Sequence, residues 1–152
     1  MSAHLPHALV RSLALGLALW LAPGPTVAAG DLVVVVNART AVDRLSQDDV
    51  INIFLGRYRR LPGGEAAFPI DQAVDGGIKA VFYQRLVNKN LNDINAYWAR
   101  LVFSGKAAPP LKTSSPTEVS KHLVNTPGAI AYLDRSQVDG RFKVVFEFPR
   151  NP

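Results

Sequence analysis

The sequence predicts an α/β fold in which a mixed, mostly parallel sheet is flanked by helices. Short apolar runs typical of buried strands alternate along the chain with segments whose apolar residues recur every three or four positions, as on one face of a helix. Because strands and helices that alternate in this way pack as layers, the pattern favours at least partly parallel strands. No internal repeat or low-complexity segment interrupts it.

The amino terminus is typical of a secretory signal peptide. A weakly basic start with Arg11 is followed by an apolar run over residues 12–22, and small residues precede position 30. The run is about half the roughly 20 residues that a membrane-spanning helix needs, so a retained anchor is the less favoured alternative. We expect residues 1–29 to be removed (cleavage after Ala28 is the other option), leaving residues 30–152 as one periplasmic domain that does not span the membrane.

Composition excludes several classes of function. The chain has 152 residues, a net charge of +5 and no cysteine, which rules out disulfides and thiolate metal sites. Its basic residues are dispersed apart from Arg57, Arg59 and Arg60, and aromatic residues do not interleave with them in a nucleic-acid-binding pattern. We expect this cluster to be a solvated loop, with contact to an acidic partner as the alternative, and we expect no nucleic acid to bind.

No catalytic machinery is recognisable. His122 is the sole histidine after the leader and has no partner for a metal site, and no serine lies in a nucleophile-elbow pattern. Asp71 and Asp75 can in principle hold a cation or act as an acid–base pair, but nothing supplies further ligands or a nucleophile. The sequence therefore predicts a protein that is not an enzyme and has no cofactor or metal.

The first strand and the first helix have clear boundaries. Residues 32–36 are continuously aliphatic, which is typical of a strand buried on both faces. Ser46, followed three residues later by Asp49, predicts a helix start, since both side chains can accept hydrogen bonds from free backbone N–H groups. Apolar residues then recur at helical spacing up to Gly56, which we expect to end the helix in the left-handed conformation.

The middle of the chain predicts one strand and two helices. Residues 67–71 indicate a short second strand, and a second helix is expected to begin near Gly77. The third helix has the strongest amphipathic pattern, carried by Ile94, Tyr97, Trp98, Leu101 and Val102. Aromatic residues at this spacing are more often core than ligand platform, so we expect Tyr97 and Trp98 to be packing residues.

The last part predicts one further helix and two strands. Either Ser115 or Thr117 can cap a short helix that runs to about Leu123. Apolar segments over 129–133 and 143–148 then indicate two strands. These elements complete the alternation on which the fold class rests.

Four motifs occur in an order that is known from one protein family. They are Val36-Asn37, Ile53-Phe54-Leu55-Gly56, Trp98 and Pro127-Gly128-Ala129-Ile130-Ala131-Tyr132. In this order the chain resembles one lobe of the phosphate-binding proteins of ABC transporters, which are type II periplasmic binding proteins. The resemblance covers nearly all of residues 32–135 and implies a short, single-lobe exported member of that group. It implies binding of phosphate or another small oxyanion in a transport or sensing system, with a membrane transporter or sensor as the protein partner.

The resemblance places a ligand loop between the second strand and the second helix, where the match is poorest. Gln72 stands where the family has a phosphate-clamping arginine, Gly76 replaces a serine and Ile78 replaces a threonine. Gly77 matches, so the surviving donors are backbone N–H groups of Gly77, Ile78 and Lys79 at a helix start. We expect the Lys79 side chain to point into solvent.

The candidate ligand-binding residues lie mostly in this loop. They are Asn37, Asp71, Gln72, Asp75, Gly76, Gly77, Ile78 and Lys79. Asn37 is included because it ends the first strand, and ligands collect at the carboxyl ends of strands in open α/β sheets.

Two alternatives to a ligand site stay open. Asp75 can occupy the helix N-cap, which would make the loop a capped turn without a ligand. A single lobe also leaves half of an anion in solvent, where each hydrogen bond contributes less. The second hypothesis is therefore a ligand-free periplasmic adaptor that docks on a membrane sensor or a transporter.

Overall fold

The computed structural model describes residues 31–72 and 77–149, so the predicted leader lies outside the described residues. The described elements follow the predicted order with one addition, a short strand between the third and fourth helices that the sequence does not predict. In chain order they are β1 (Leu32–Asn37), α1 (Gln47–Phe54), β2 (Phe68–Gln72), α2 (Ile78–Val87), α3 (Leu91–Phe103), β3 (Leu111–Thr113), α4 (Pro116–Asn125), β4 (Ala129–Asp134), a 3-10 turn (Arg135–Gln137) and β5 (Phe142–Glu147). None of the described helices is both long and apolar enough to cross a membrane.

The strands form one mixed sheet in the order β3-β2-β4-β1-β5. β2 pairs in parallel with both β3 and β4, whereas β1 pairs antiparallel with both β4 and β5. Four strands therefore run in one direction and β1 runs against them. This confirms the predicted α/β class with a mixed, mostly parallel sheet flanked by helices.

The two faces of the sheet bury separate apolar clusters, and β1 contributes to both. Val34 and Val36 pack with side chains of α1, α2 and α3, while Val33 and Val35 pack with Val119 and Leu123 of α4. The strand is therefore buried on both faces, as its aliphatic run predicts. Trp98 belongs to the first cluster, and Tyr97 packs against it, which confirms their packing role.

An aromatic stack fixes α2 over the sheet. The ring of Phe82 lies parallel to that of Tyr132 with centroids 4.0 Å apart, and it meets the ring of Phe54 edge-on at 4.8 Å. All three side chains are fully buried. This packing sets where α2 begins relative to the carboxyl end of β2, which is the region of the predicted ligand loop.

Local signals begin and end α1 as the sequence predicts. The Ser46 hydroxyl accepts from the Asp49 N–H while the Asp49 carboxylate accepts from the Ser46 N–H, which is a capping box. Gly56 follows the helix with a φ of 71° and lies against the Trp98 ring, which leaves no space for a side chain.

Candidate functional site

The predicted ligand loop connects the carboxyl end of β2 to the start of α2. Asp71 and Gln72 are the last two residues of β2, and Gly77 is the N-cap of α2. The predicted site residues Asp75 and Gly76 lie outside the described residues. The described residues therefore include the two ends of the loop, at Gln72 and at Gly77.

Asp71 is a buried carboxylate with three partners. Its side chain accepts hydrogen bonds from the hydroxyls of Tyr132 (3.0 Å) and Tyr83 (3.2 Å), and the Lys79 ammonium lies 2.9 Å from Oδ2. The whole residue is only 3% exposed. A carboxylate removed from water needs an opposite charge and hydrogen-bond donors, and this cluster supplies both.

The expectation that Lys79 points into solvent is wrong. Its side chain is 13% exposed and turns inward to Asp71. The physical reason is the cost of leaving the buried carboxylate uncompensated, which exceeds the hydration that the ammonium loses. The charge of Lys79 is therefore neutralised within the protein and is not free to attract an anion.

The two tyrosines remain neutral donors. Burial raises the pKa of Tyr83 and of Tyr132 far above the usual range, and the nearby charge of Asp71 raises both pKa values further. Tyrosines whose hydroxyls keep their protons can act as donors to the Asp71 carboxylate. We therefore treat Asp71, Lys79, Tyr83 and Tyr132 as one electrically balanced cluster, called the Asp71 cluster below.

Gln72 is also committed to internal contacts. Its side-chain Nε2 donates to the backbone carbonyl of Tyr132 at 2.9 Å, and its backbone N–H donates to the Tyr132 hydroxyl at 3.1 Å. The residue is 4% exposed. The amide that stands in place of the family's arginine therefore joins β2 to β4 and does not extend into the loop.

The backbone donors at the start of α2 have no side-chain partner among the described residues. The first turn of the helix contains no acidic side chain, and no described side chain accepts from its N–H groups. Ile78 packs against the core through its side chain, so only its backbone is available to a ligand. A side chain added at Gly77 would meet no atom of the described residues within 4 Å. Such a helix start can attract an anion through its N–H groups and dipole.

The prediction that Asn37 lies at the same rim is wrong. Because β1 runs against β2, the end of β1 lies at the same edge of the sheet as the start of β2, with β4 between them. Val36 is level with Ile130 of β4, and Ile130 is level with Pro69 of β2. Gln72 is about 10 Å further along β2 than Pro69 at the usual rise per residue. Asn37 instead donates to the carbonyls of Leu123 and Val124 at the end of α4.

Tyr83 and Tyr132 are the residues that sequence reasoning missed. Tyr83 follows Lys79 by four positions, so the two side chains share one face of α2, and this spacing is a usable signal. Tyr132 ends the Pro127–Tyr132 motif but nothing in that motif indicates a carboxylate partner. Within residues 31–72 and 77–149 no group of three or more His, Cys, Asp or Glu side chains is arranged to hold a metal ion.

Comparison with known proteins identifies the fold. No protein-family model and no curated protein sequence matches the chain. Among solved structures, an ABC-type phosphate transport receptor from Vibrio cholerae matches with a TM-score of 0.60 and 14% identity over 76% of this chain and 45% of that one. A phosphate ABC transporter substrate-binding protein from Clostridium perfringens, described as putative and solved with bound phosphate, matches with a TM-score of 0.59 and 12% identity. That match covers 76% of this chain and 44% of the other.

These likenesses establish a shared fold. The five-stranded sheet with its four helices matches part of each receptor structure, and the chain spans less than half the length of either. The region in common is consistent with the single lobe that the ordered motifs predict. At such low identity the likeness carries no ligand to this chain by itself.

Proposed function

We propose that this chain is a binding module for a small oxyanion, with phosphate as the first candidate, and that the anion binds the N–H groups of Gly77, Ile78 and Lys79. The observation that carries the proposal is the start of α2 at the carboxyl end of β2, where the first turn has no acidic side chain and no side chain among the described residues accepts from its N–H groups. The two solved structures described above are named as phosphate transport proteins, and one holds phosphate, which supports the choice of ligand.

The affinity expected of this site is low. Lys79 and Gln72 are engaged with Asp71 and Tyr132, so side chains add little to the backbone donors. Asp71 itself carries a negative charge near the site, and Lys79 only balances it. A half-site of this kind corresponds to a Kd of about 1 mM, or about 4 kcal/mol of binding free energy.

The proposal includes an exported setting and no catalysis. The leader-like composition of residues 1–29 supports export to the periplasm, where a module of this fold can serve transport or sensing. A membrane transporter or sensor protein would then supply the second surface that encloses the anion. Fractionation of expressing cells, with mass measurement of the recovered chain, tests export and cleavage before position 30.

The central test is isothermal titration of the purified chain with phosphate, sulfate and acetate. Gly77→Val places a branched side chain in the open space before α2, where it should block the approach of an anion without disturbing the core. Gly140→Val is the matched control, since a side chain at Gly140 also meets no atom within 4 Å and the residue lies in the turn before β5.

Saturable heat with phosphate that Gly77→Val abolishes and Gly140→Val preserves would support the proposal. If the Gly77→Val protein gives the same binding heat, the anion binds at a different place in the protein. Flat titrations at millimolar phosphate would overturn the proposal that the isolated chain binds an oxyanion. The second candidate is a ligand-free adaptor for a membrane sensor or transporter. The contacts of Lys79 with Asp71 and of Gln72 with Tyr132 favour this second candidate, because they engage the side chains that a phosphate site would use.

A further inference from the structure

A second surface lies at the other end of β2. Two adjoining hollows of about 620 Å³ and about 390 Å³ meet along the start of β2 and the segment that leads into β3. Both hollows are lined by residues 67–69 and by Ala108 and Pro109. We call this surface the amino-end groove, and the exposed apolar side chains that line it are Tyr58, Phe68, Val102 and Leu111.

The groove gathers the exposed apolar side chains of the described chain. Tyr58, Phe68, Val102 and Leu111 are each about half exposed, at 50%, 51%, 53% and 49%, and Phe103 beside Val102 is 96% exposed. The described residues include no other large hydrophobic side chain that is exposed. Single exposed apolar residues are ordinary, but their concentration on one concave surface is typical of an interaction site.

The two charged side chains that line the groove, Arg59 and Lys106, are both basic. Arg57 and Arg60 flank Arg59 in the loop after α1, and the one acidic neighbour, Glu65, adjoins the lining residue Ala66 without lining the groove itself. Within the described residues the four basic side chains form no ion pair. Arg59 donates instead to the Lys106 carbonyl at 3.2 Å, which joins the loops after α1 and α3 into one wall.

We infer that the amino-end groove binds an extended acidic segment of a partner protein, with apolar side chains in the two hollows and carboxylates at the basic rim. Charge complementarity is the reason for an acidic occupant, since the unpaired arginines and lysine give the rim a positive potential. The concave shape favours a peptide over a bilayer, because insertion into lipid needs apolar side chains that protrude, and Phe103 is the one described residue that does so fully.

This site is independent of the proposed oxyanion site. Phe68, which lines the groove, and Gln72, which precedes the predicted loop, are the first and last residues of β2, about 13 Å apart along the strand. Substitutions at Gly77 and at the groove therefore report on separate surfaces. Loss of one activity leaves the other measurable.

The test uses fluorescence anisotropy with a defined probe and the chain as isolated from expressing cells. The probe is a fluorescein-labelled synthetic peptide in which Glu alternates with Phe and Leu, and its counterpart carries Lys in place of each Glu. Lys106→Glu reverses one positive charge at the rim of the groove. Phe68→Ser removes one of its apolar lining side chains. Lys89→Glu is the matched control, because Lys89 is also an exposed lysine in the loop after a helix and α3 separates it from the groove by about 20 Å.

We expect saturable binding of the acidic peptide, weaker by about tenfold in both Lys106→Glu and Phe68→Ser and unchanged in Lys89→Glu. Binding of the basic counterpart with equal affinity would overturn the role of the rim. Equal loss in Lys89→Glu would show a general charge effect and overturn the site. Binding to phosphatidylglycerol vesicles but not to the peptide would overturn the acidic segment as occupant in favour of a membrane surface. Concentration-dependent self-association through the groove, without peptide binding, would overturn it in favour of a second copy of the chain.

Discussion

At the carboxyl end of β2 a charged pair is buried and fully partnered, whereas at the amino end of the same strand basic side chains stand exposed and unpaired beside an apolar groove. Asp71 has two tyrosine donors and the Lys79 ammonium, while Arg59 and Lys106 face no carboxylate among the described residues. Charge that enters the core must be balanced within the chain, because the protein interior replaces little of its hydration. Charge at the surface is hydrated and can be left for a partner.

Removal of the Asp71 charge should have the largest effect on this comparison. Asp71→Asn leaves the Lys79 ammonium without its counter-charge at a nearly buried position, and we expect it to lower the free energy of unfolding by about 3–5 kcal/mol. Urea unfolding followed by circular dichroism measures the change.

The matched control for that change is Asp43→Asn at the exposed pair with Lys143. The Asp43 side chain is 87% exposed, so its loss should lower the free energy of unfolding by less than about 1 kcal/mol. Similar losses in the two proteins would contradict the distinction between a buried and an exposed pair.

At the amino end, a methyl group at Gly128 should be the most disruptive single change. Gly128 has a φ of 72°, and an added Cβ would overlap the backbone carbonyl of Ala66, which has no freedom to move as a side-chain tip would. We expect Gly128→Ala to lower the free energy of unfolding by about 3 kcal/mol or more, measured by the same urea transition.

Gly105→Ala separates backbone strain from overlap. Gly105 has a φ of 65° but an added Cβ there meets no atom within 4 Å, so this variant should lose only about 1–2 kcal/mol. If the two alanine variants lose the same stability, the close approach of Ala66 is not what requires glycine at position 128.

The smallest effect on stability is expected from charge reversal at the rim of the groove. Lys106→Glu and Lys89→Glu should each change the free energy of unfolding by no more than about 0.5 kcal/mol, because both lysines are exposed and form no ion pair among the described residues. Thermal unfolding of both variants, compared with the parent chain, checks this. A large loss in Lys106→Glu alone would mean that the rim has a structural role in the fold.

Local sequence signals were reliable where the interaction itself is local. The capping box of Ser46 and Asp49, the left-handed Gly56 and the position of Trp98 in the core all follow from residues a few positions apart along the chain. The start of α2 after Gly77 follows in the same way. The binding roles of the loop residues remain predictions, because a role depends on a ligand as well as on the fold.

The errors concern how separate secondary-structure elements are placed relative to one another. An aliphatic run such as Leu32–Asn37 specifies burial but not strand direction. The antiparallel direction of β1 places Asn37 at the other end of the sheet from the predicted rim. Lys79 was misplaced for a related reason. Its spacing on α2 indicates which side chains are its neighbours, but only the packing of α2 over β2 brings it to Asp71.

By itself the sequence determined the α/β class, the order of the helices and of every strand except β3, and the poor match of the loop to a phosphate clamp. Periodicity, caps and residue types are properties of short segments. Only the tertiary structure decided how the charges and apolar side chains are distributed. Strand direction and helix packing bring Asp71 to Lys79, Tyr83 and Tyr132, and they gather Tyr58, Phe68, Val102 and Leu111 from separate parts of the chain around one groove. Burial then determines which charges the fold must neutralise and which it leaves for a partner.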